Sequence, residues 1–298
     1  MSQEDFPIEF VLDSIESVMS AKQPKVLLFD IGGVCVVSPF QAILNYEKAN
    51  NIPPGWINHS ISRSAPSGSF QRLERGEILL DHHFFTGFTS DLHNPTLWSN
   101  FYTQKALPAN PTLPKLTPPL PKVDAEFVFW EMMNMSKTPD PWMHPALLKL
   151  KESNRFILGA LSNTVIFPPS HPLSIVQAEG VRSLFDIFIS SAHVGLRKPS
   201  PEIYTLALEK LNAFALQNAE GRGRGLGWEM GVRAEEVLFL DDIGENLKAG
   251  RKAGFQTLKV TLGRAFEAVD ELERITGLQL AGSHPRVVGE VQGEKARL

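Results

Sequence analysis

The strongest constraint on the fold of this chain is a short apolar run that ends in a carboxylate and two glycines. Val26–Phe29 is continuously apolar and is followed directly by Asp30. After Ile31 come Gly32 and Gly33. Such a run is typical of a parallel strand buried on both faces. Because open α/β sheets bind ligands at the carboxyl ends of their strands, Asp30 is predicted to lie at a ligand site. Taken alone, the segment is equally well explained as a strand end followed by a turn.

Three later segments also place polar side chains at the end of a predicted strand or beside one. In chain order they are Ser162 and Asn163 after the strand Phe156–Leu161, Lys198 before a helix that starts at Pro201, and Asp241 and Asp242 after the strand Glu236–Leu240. Taken singly, Lys198 is also explained as a solvated loop lysine, and the two acids as a helix cap. Their order along the chain is what points to one site.

This ordered set resembles the four motifs of the haloacid dehalogenase-like hydrolase superfamily. Three segments resemble more closely the amino-terminal phosphatase domain of mammalian soluble epoxide hydrolase and the related domain of an acyl-CoA dehydrogenase-like protein. They are Val194–Pro199, Phe239–Lys248 and Leu272–Leu280. The resemblance covers most of residues 25–280 and is weakest over residues 40–140.

From Pro145 onward, strand and helix patterns alternate, which favours a parallel sheet with right-handed crossovers. We expect a doubly wound α/β core, Rossmann-like in its layers, over residues 25–39 and 140–280. Its further strands are predicted at Asp186–Ser190 and Gln256–Val260, and its helices at Leu173–Leu184, Pro201–Leu211, Asn246–Ala253 and Ala265–Ile275.

Residues 40–139 interrupt this core, and the resemblance implies that they form a helical cap inserted after the first strand. Apolar residues recur at helical spacing in Gln41–Asn51, Phe70–Arg75 and Leu79–Leu92. Residues 105–122 are so rich in proline that we expect an extended surface loop with neither helix nor sheet, an SH3-type docking site being the alternative.

The remaining segments carry weaker signals. Residues 1–24, with a helix around Ile8–Ser20, are expected to be an N-terminal extension, and residues 281–298 a C-terminal tail. The glycine-rich stretch within residues 213–231 misses the spacing of dinucleotide-binding loops and is predicted to be a flexible loop.

Composition excludes several classes of protein. With 298 residues, of which 43% are hydrophobic, the chain can bury one sizeable core and a smaller second unit. A net charge of -4 gives no electrostatic reason to expect a nucleic-acid or membrane partner. The single cysteine, Cys35, is expected to be a buried apolar residue. Lacking a leader pattern or a membrane-length apolar run, the chain is expected to be cytoplasmic, and a homodimer is left open.

The resemblance implies a Mg²⁺-dependent phosphohydrolase that acts on a small-molecule phosphate ester. Asp30 is expected to be the nucleophile that forms an aspartyl phosphate. Mg²⁺ takes six oxygen ligands, and the expected protein ligands are Asp30, the main-chain carbonyl of Gly32, and Asp242. Asp241 and Asn246 are expected to orient the groups around the metal.

The resemblance also implies roles for the remaining polar residues. Ser162 is expected to donate a hydrogen bond to the phosphate, together with amides near Asn163. Lys198 is expected to neutralise both Asp30 and the transferring group, as phosphoryl transfer requires.

Gly32 departs from the family pattern, because most phosphatases of this superfamily have a second aspartate there that serves as general acid and base. Such assistance typically contributes about 10²- to 10⁴-fold to the rate. We therefore predict slow turnover, dependence on good leaving groups, or a proton donor from the cap. Asp81, His82 and His83 lie on a predicted cap helix, although surface residues are the simpler interpretation.

Two other classes of function remain open. A catalytically weak or inactive phosphate-binding or regulatory protein would keep the scaffold without needing the acid. A metal-independent dehalogenase also lacks the second aspartate, but its chemistry has no use for paired acids such as Asp241 and Asp242.

Overall fold

A computed structural model of the chain describes residues 23–169, 171–174 and 180–286. Five strands within these ranges form one parallel sheet in the order β3-β2-β1-β4-β5. The strands are β1 Val26–Phe29, β2 Ile157–Ser162, β3 Ile187–Ser190, β4 Val237–Asp241 and β5 Gln256–Lys259. The predicted α/β fold with a doubly wound parallel sheet is confirmed.

The central strand β1 is buried along its whole length, and its side chains alternate between two cores. Leu27 and Phe29 belong to a cluster on one face, and Val26 and Leu28 to a cluster on the other. Helices that cover both faces complete these clusters. They are α7 Met143–Ser153 and α11 Ala265–Thr276 on the first face, and α9 Pro201–Gln217 and α10 Gly244–Lys252 on the second. The continuous apolar run is therefore explained by burial on two sides.

The strand order reverses between β1 and β4. Phe29 pairs with Ala160 of β2 and with Leu240 of β4, so Asp30 leaves the sheet beside Leu161 and Asp241. A crevice outside the carboxyl ends of the strands, where the order reverses, is where doubly wound sheets bind ligands. The topology thus brings the predicted acids to one edge.

The cap, by which we mean residues 40–139, carries a hydrophobic cluster of its own, built largely from aromatic side chains such as Trp56, Phe88 and Phe129. Its helices are α1 Phe40–Ala49, α2 Trp56–Arg63, α3 Ser69–Glu74, α4 His82–Leu92, α5 Pro95–Phe101 and α6 Ala125–Met135. Helix α4 begins later than predicted because the Asp81 side chain accepts hydrogen bonds from the amides of His83 and Phe84. The domain limits themselves stay a prediction.

The proline-rich segment differs from the expectation at its start. Residues 102–109 continue helix α5 through a π-helical turn, and Pro108 is tolerated near the start of the last helical turn. From residue 110 to 122 the segment has neither helix nor strand, as predicted. It is nevertheless held to the cap, because Trp98 Nε1 and Tyr102 Oη donate to the carbonyls of Pro118 and Pro114 at 2.8 Å each.

The loop that contains the glycine-rich stretch also begins later than predicted. Helix α9 continues to Gln217, six residues beyond its predicted end, and turns follow up to Gly231. Trp228 is fully buried, and Arg222 forms two hydrogen bonds to Asp186 at 2.6 and 2.8 Å. The predicted loop is therefore confirmed for residues 218–227, whereas residues 213–217 belong to helix α9.

Some predicted elements lie outside the described residues. These are the helix Ile8–Ser20 and the tail beyond residue 286. The predicted helix Leu173–Leu184 is described only in part, and its far end, Val181–Leu184, is a 3₁₀ turn. Among the helices that the structure describes, none combines the length and apolar character that a membrane span requires.

Candidate active site

The Lys198 side chain lies between two carboxylates at the carboxyl edge of the sheet. Its Nζ is 2.9 Å from Oδ1 of Asp30 and 2.6 Å from Oδ2 of Asp241. Only 1% of the side chain is exposed. Burial opposes the charged ammonium, but Asp241 and Asp30 outweigh it and raise the pKa of Lys198. The lysine therefore stays positively charged although it is buried, which excludes the explanation as a solvated loop residue.

Asn163 holds the main chain of Lys198 from both sides. Its Oδ1 accepts from the Lys198 amide at 2.8 Å, and its Nδ2 donates to the Lys198 carbonyl at 3.1 Å. Asn163 follows the last residue of β2, so the sheet edge fixes the loop that carries the lysine. The asparagine side chain is thus seen to position Lys198, whereas its amide neighbourhood had been predicted to contact phosphate.

Asp241 is oriented by two further donors, which make three hydrogen bonds to it. The Ile243 amide donates to Oδ1 at 2.8 Å, and Asn246 Nδ2 lies 3.1 Å from both carboxylate oxygens. Burial raises the pKa of Asp241 to about 6, against the opposing effect of Lys198. Asp241 and Asn246 therefore make their hydrogen bonds to protein partners, and the orienting role predicted for them stays a prediction.

Asp242 differs from its neighbour because one of its oxygens has no hydrogen-bond partner among the residues that the structure describes. Oδ1 is buried without a hydrogen bond, and burial together with the charges of Asp241 and Asp30 raises the pKa of the Asp242 carboxyl well above its ordinary value. One oxygen from each of these three carboxylates lies within 4.8 Å of the others. Buried carboxylates of this kind are stabilised by a cation.

The glycine turn after β1 leaves room for this arrangement. Gly33 has a φ of +78°, and a Cβ there would lie 2.7 Å from Oδ2 of Asp242. Hydrogen bonds from the amides of Gly33 to Val36 and of Val36 to Ile31 close the turn. The oxygen donors and the absence of a side chain at Gly33 fit a hard divalent cation such as Mg²⁺.

Two other predicted residues lie at the same edge. Ser162 is the last residue of β2, is buried, and pairs in register with Ser190. Cys35 is buried, and its Sγ donates to the main-chain carbonyl of Asp30 at 3.1 Å. Cys35 is thus buried as predicted, and burial raises the pKa of its thiol, which disfavours the thiolate that a nucleophile requires.

The cap reaches this edge through Glu74, which the sequence patterns did not single out. Its carboxylate pairs with Arg197, the residue before Lys198. The three cap residues suggested as proton donors, unlike Glu74, lie on or beside helix α4. Asp81 caps helix α4, and His82 and His83 are exposed on that helix. The geometry thus favours the surface interpretation for these three.

A model of the family described as haloacid dehalogenase-like hydrolase matches residues 24–254. This range includes every predicted site residue and most of the chain. The chain belongs to the haloacid dehalogenase-like hydrolase family. The family inferred from the order of the motifs is confirmed.

Two curated relatives cover most of this chain. Acyl-CoA dehydrogenase family member 10 of Mus musculus is 26% identical over 258 residues, which are 86% of this chain and 19% of that protein. Bifunctional epoxide hydrolase 2 of Sus scrofa is 26% identical over 259 residues, which are 85% of this chain and 39% of that protein. The chain therefore spans less than half the length of either relative.

Solved structures of the same family show a similar arrangement at low sequence identity. A HAD family enzyme from Bacteroides thetaiotaomicron is 19% identical, with a TM-score of 0.48 over 84% of this chain and 99% of that one. The L-2-haloacid dehalogenase of Xanthobacter autotrophicus is 20% identical, with a TM-score of 0.44 over 87% of this chain and 85% of that one. Neither likeness decides between the reactions of the family.

Proposed function

We propose that this protein is a Mg²⁺-dependent phosphohydrolase that acts on a small phosphorylated metabolite through an aspartyl-phosphate intermediate. The observation that carries the proposal is the charge arrangement at the sheet edge. A buried ammonium from Lys198 is fixed between Asp30 and Asp241, and Asp242 beside them has an oxygen that no described residue hydrogen-bonds. A pair of opposite charges next to a cation site suits a phosphoryl group in transfer.

Asp30 is the proposed nucleophile. One carboxylate oxygen would form a bond to phosphorus while the bond from phosphorus to the leaving oxygen breaks, and the leaving oxygen would take a proton from solvent. Water would then attack the aspartyl phosphate, release inorganic phosphate and restore the Asp30 carboxylate. Lys198 balances the negative charge of Asp30 in the resting state, so that an anionic phosphate can approach.

The metal would be held by Asp30, Asp242 and the main-chain carbonyl of Gly32. When bound, Mg²⁺ neutralises charge on the phosphoryl oxygens. Asp241 and Asn246 would hold the turn that carries Asp242 in place, because they are hydrogen-bonded to each other and Asp241 also accepts from the Ile243 amide. Ser162 and the amides after it are the proposed donors to the phosphate.

The proposal is tested by phosphate release from an aryl phosphate, which needs no protein acid for its leaving group. We expect that EDTA abolishes release, that added Mg²⁺ restores it, and that Asp30→Asn removes it while the circular-dichroism spectrum shows an intact fold. Asp91→Asn, in the cap, is the matched control and should keep full activity. A metabolite panel with and without Mg²⁺ would then identify the substrate class.

The alternatives give different results in the same assay. Equal phosphate release in EDTA and in Mg²⁺ would contradict the metal-dependent mechanism. No phosphate release in either condition, with halide release from a haloacid, would instead favour the dehalogenase reaction. A protein that binds inorganic phosphate with Mg²⁺ but releases none from any ester would be the phosphate-binding or regulatory alternative, which Gly32 favours. More than a few percent of wild-type activity in Asp30→Asn would show that Asp30 is not the nucleophile.

A further inference from the structure

A carboxylate of the cap is tied to the loop that carries Lys198. Glu74 ends helix α3 and is buried. Its Oε2 accepts from Nε of Arg197 at 2.9 Å and lies 2.7 Å from Nη2 of the same side chain. Since Arg197 precedes Lys198, this ion pair acts one residue away from the ammonium held between Asp30 and Asp241.

A second connection between Glu74 and the loop of Lys198 runs through the main-chain carbonyl of Glu74. Ser191 Oγ donates to the Glu74 carbonyl at 2.5 Å and accepts from the Thr164 amide at 2.8 Å. Thr164 directly follows Asn163, whose side chain holds the amide and the carbonyl of Lys198. Glu74 therefore reaches Lys198 by two routes, one through its carboxylate and one through its carbonyl.

The turn after α3 is shaped for this contact. Gly76 has a φ of +66°, and a Cβ there would lie 2.2 Å from the main-chain carbonyl oxygen of Ala192. Ala192 follows Ser191 in the short helix α8 Ser191–Val194. Only a residue without a side chain allows the cap to approach the core so closely at this point.

The Glu74 carboxyl is influenced by the charged residues of the site. Burial raises the pKa of the Glu74 carboxyl, Arg197 opposes this, and the negative charge of Asp30 adds to the increase. The cap carboxylate and the nucleophile thus share one electrostatic environment. A displacement of Arg197 would change the charge balance as well as the shape of the site.

We propose that Glu74 is a positioning residue for Lys198. Glu74 contacts both Arg197 and Ser191 and thereby fixes the loop that carries Lys198 while the cap lies against the core. The kinetic consequence rests on the proposed phosphohydrolase function, whereas the effect on the geometry of the loop does not. A misplacement of about 1 Å in a catalytic group can cost about 10²-fold in rate.

The kinetic test compares Glu74→Gln, Arg197→Gln and the double variant. We expect each to lower kcat on an aryl phosphate by about 10²-fold with little change in KM. Because the two residues act through one contact, the double variant should lose no more than either single variant. Glu77→Gln is the matched control, since Glu77 lies in the same turn and pairs with Arg75 at 2.6 Å on the exposed side. It should keep wild-type kinetics.

A second measurement does not depend on activity. Hydrogen exchange should show the amides of Lys198 and Thr164 exchanging at least about tenfold faster in Glu74→Gln than in the wild type, with no change in Glu77→Gln. If the wild type releases no phosphate but this difference is seen, the proposed function fails and the positioning role stands. Unchanged exchange would overturn the positioning role, and so would additive kinetic losses. A loss in Glu74→Gln confined to poor leaving groups would also overturn it, because Glu74 would then be a proton donor.

Discussion

Gly32 and Gly33 are neighbours in the chain, yet a side chain would have different consequences at the two positions. Gly33 has the left-handed backbone conformation, and its missing Cβ faces Asp242. Gly32 does not have a positive φ, and a Cβ there would meet Cδ of Pro39 at 3.2 Å. A small shift of the proline ring therefore suffices to accept a side chain at Gly32, where relatives with a general acid have aspartate.

We predict that Gly32→Asp changes the dependence on the leaving group. Without a protein acid, the wild type should hydrolyse aryl and acyl phosphates and leave alkyl phosphates such as glycerol phosphate nearly untouched. In the variant, the rate of hydrolysis of alkyl phosphates should rise by about 10²-fold or more, and that of aryl phosphates should rise much less. A series of esters with graded leaving-group pKa, assayed with Mg²⁺, measures this slope.

The matched control is Gly32→Asn, because asparagine has nearly the same volume as aspartate but no acidic proton to transfer. It should reproduce any effect of crowding against Pro39 without the gain on alkyl phosphates. If the wild type already shows no dependence on leaving-group pKa, another residue donates the proton and the interpretation of Gly32 is wrong. Gly33→Ala should lose activity in every case, because its Cβ would displace Asp242.

At the scale of secondary-structure elements, the strands were predictable and the connections were not. Strands β2 and β4 lie within one residue of their predicted bounds, because apolar runs between polar residues mark them clearly. Helices α5 and α6 were missed, although Asn94 before Pro95 and Asp124 before Ala125 were visible N-cap signals. The contact that anchors the glycine-rich loop, between Arg222 and Asp186, was not foreseen because the two residues lie 36 positions apart in the chain.

Asp186 joins several elements at the amino-terminal edge of the sheet. Its carboxylate accepts from Arg222 and from Lys151 at 2.6–2.8 Å, and from the Leu158 amide at 2.9 Å. Burial opposes the charged form, but Arg222 and Lys151 outweigh it and lower the pKa of Asp186. A carboxylate with so many donors holds the glycine-rich turns, helix α7 and strand β2 in one arrangement.

We therefore predict that Asp186→Asn destabilises the protein by about 2–3 kcal/mol, because it leaves partly buried cations without their counter-charge. Urea unfolding followed by circular dichroism measures this. Glu267→Gln, which breaks an exposed pair with Arg264 in helix α11, should change stability by no more than about 0.5 kcal/mol. Equal effects of the two substitutions would show that the Asp186 network contributes little.

For the whole molecule, the sequence predicted which residues meet at the sheet edge but not how the cap meets the core. Asp30, Lys198, Asp241 and Asp242 converge because parallel strands end at one edge, and this rule needs no knowledge of long-range packing. Glu74 and Arg197 are 123 residues apart, and neither stands in a pattern that marks a contact. Such pairs depend on how the cap packs, which periodicity does not encode.

The cluster of acids also affects the stability of the whole protein, and the sign of this effect follows from the pKa shifts. The pKa of Asp242 is well above its ordinary value, and that of Asp241 is about 6, against 3.8 in the unfolded chain. Between pH 3.8 and about 6 the metal-free folded protein thus binds more protons at these groups than the unfolded chain. Their contribution to the free energy of unfolding therefore falls as pH rises.

We predict that Asp242→Asn, which removes one of these charges, is more stable than the wild type in EDTA at neutral pH, and that this advantage shrinks as the pH is lowered towards about 4. Mg²⁺ at about 100 times its Kd should add about 2.7 kcal/mol to the wild type and much less to the variant. Thermal melting at several pH values, in EDTA and in Mg²⁺, measures both effects. If Mg²⁺ stabilises the two proteins equally, the cation binds elsewhere. If the advantage of the variant in EDTA is the same at every pH, repulsion among Asp30, Asp241 and Asp242 is not what limits the stability of the metal-free protein.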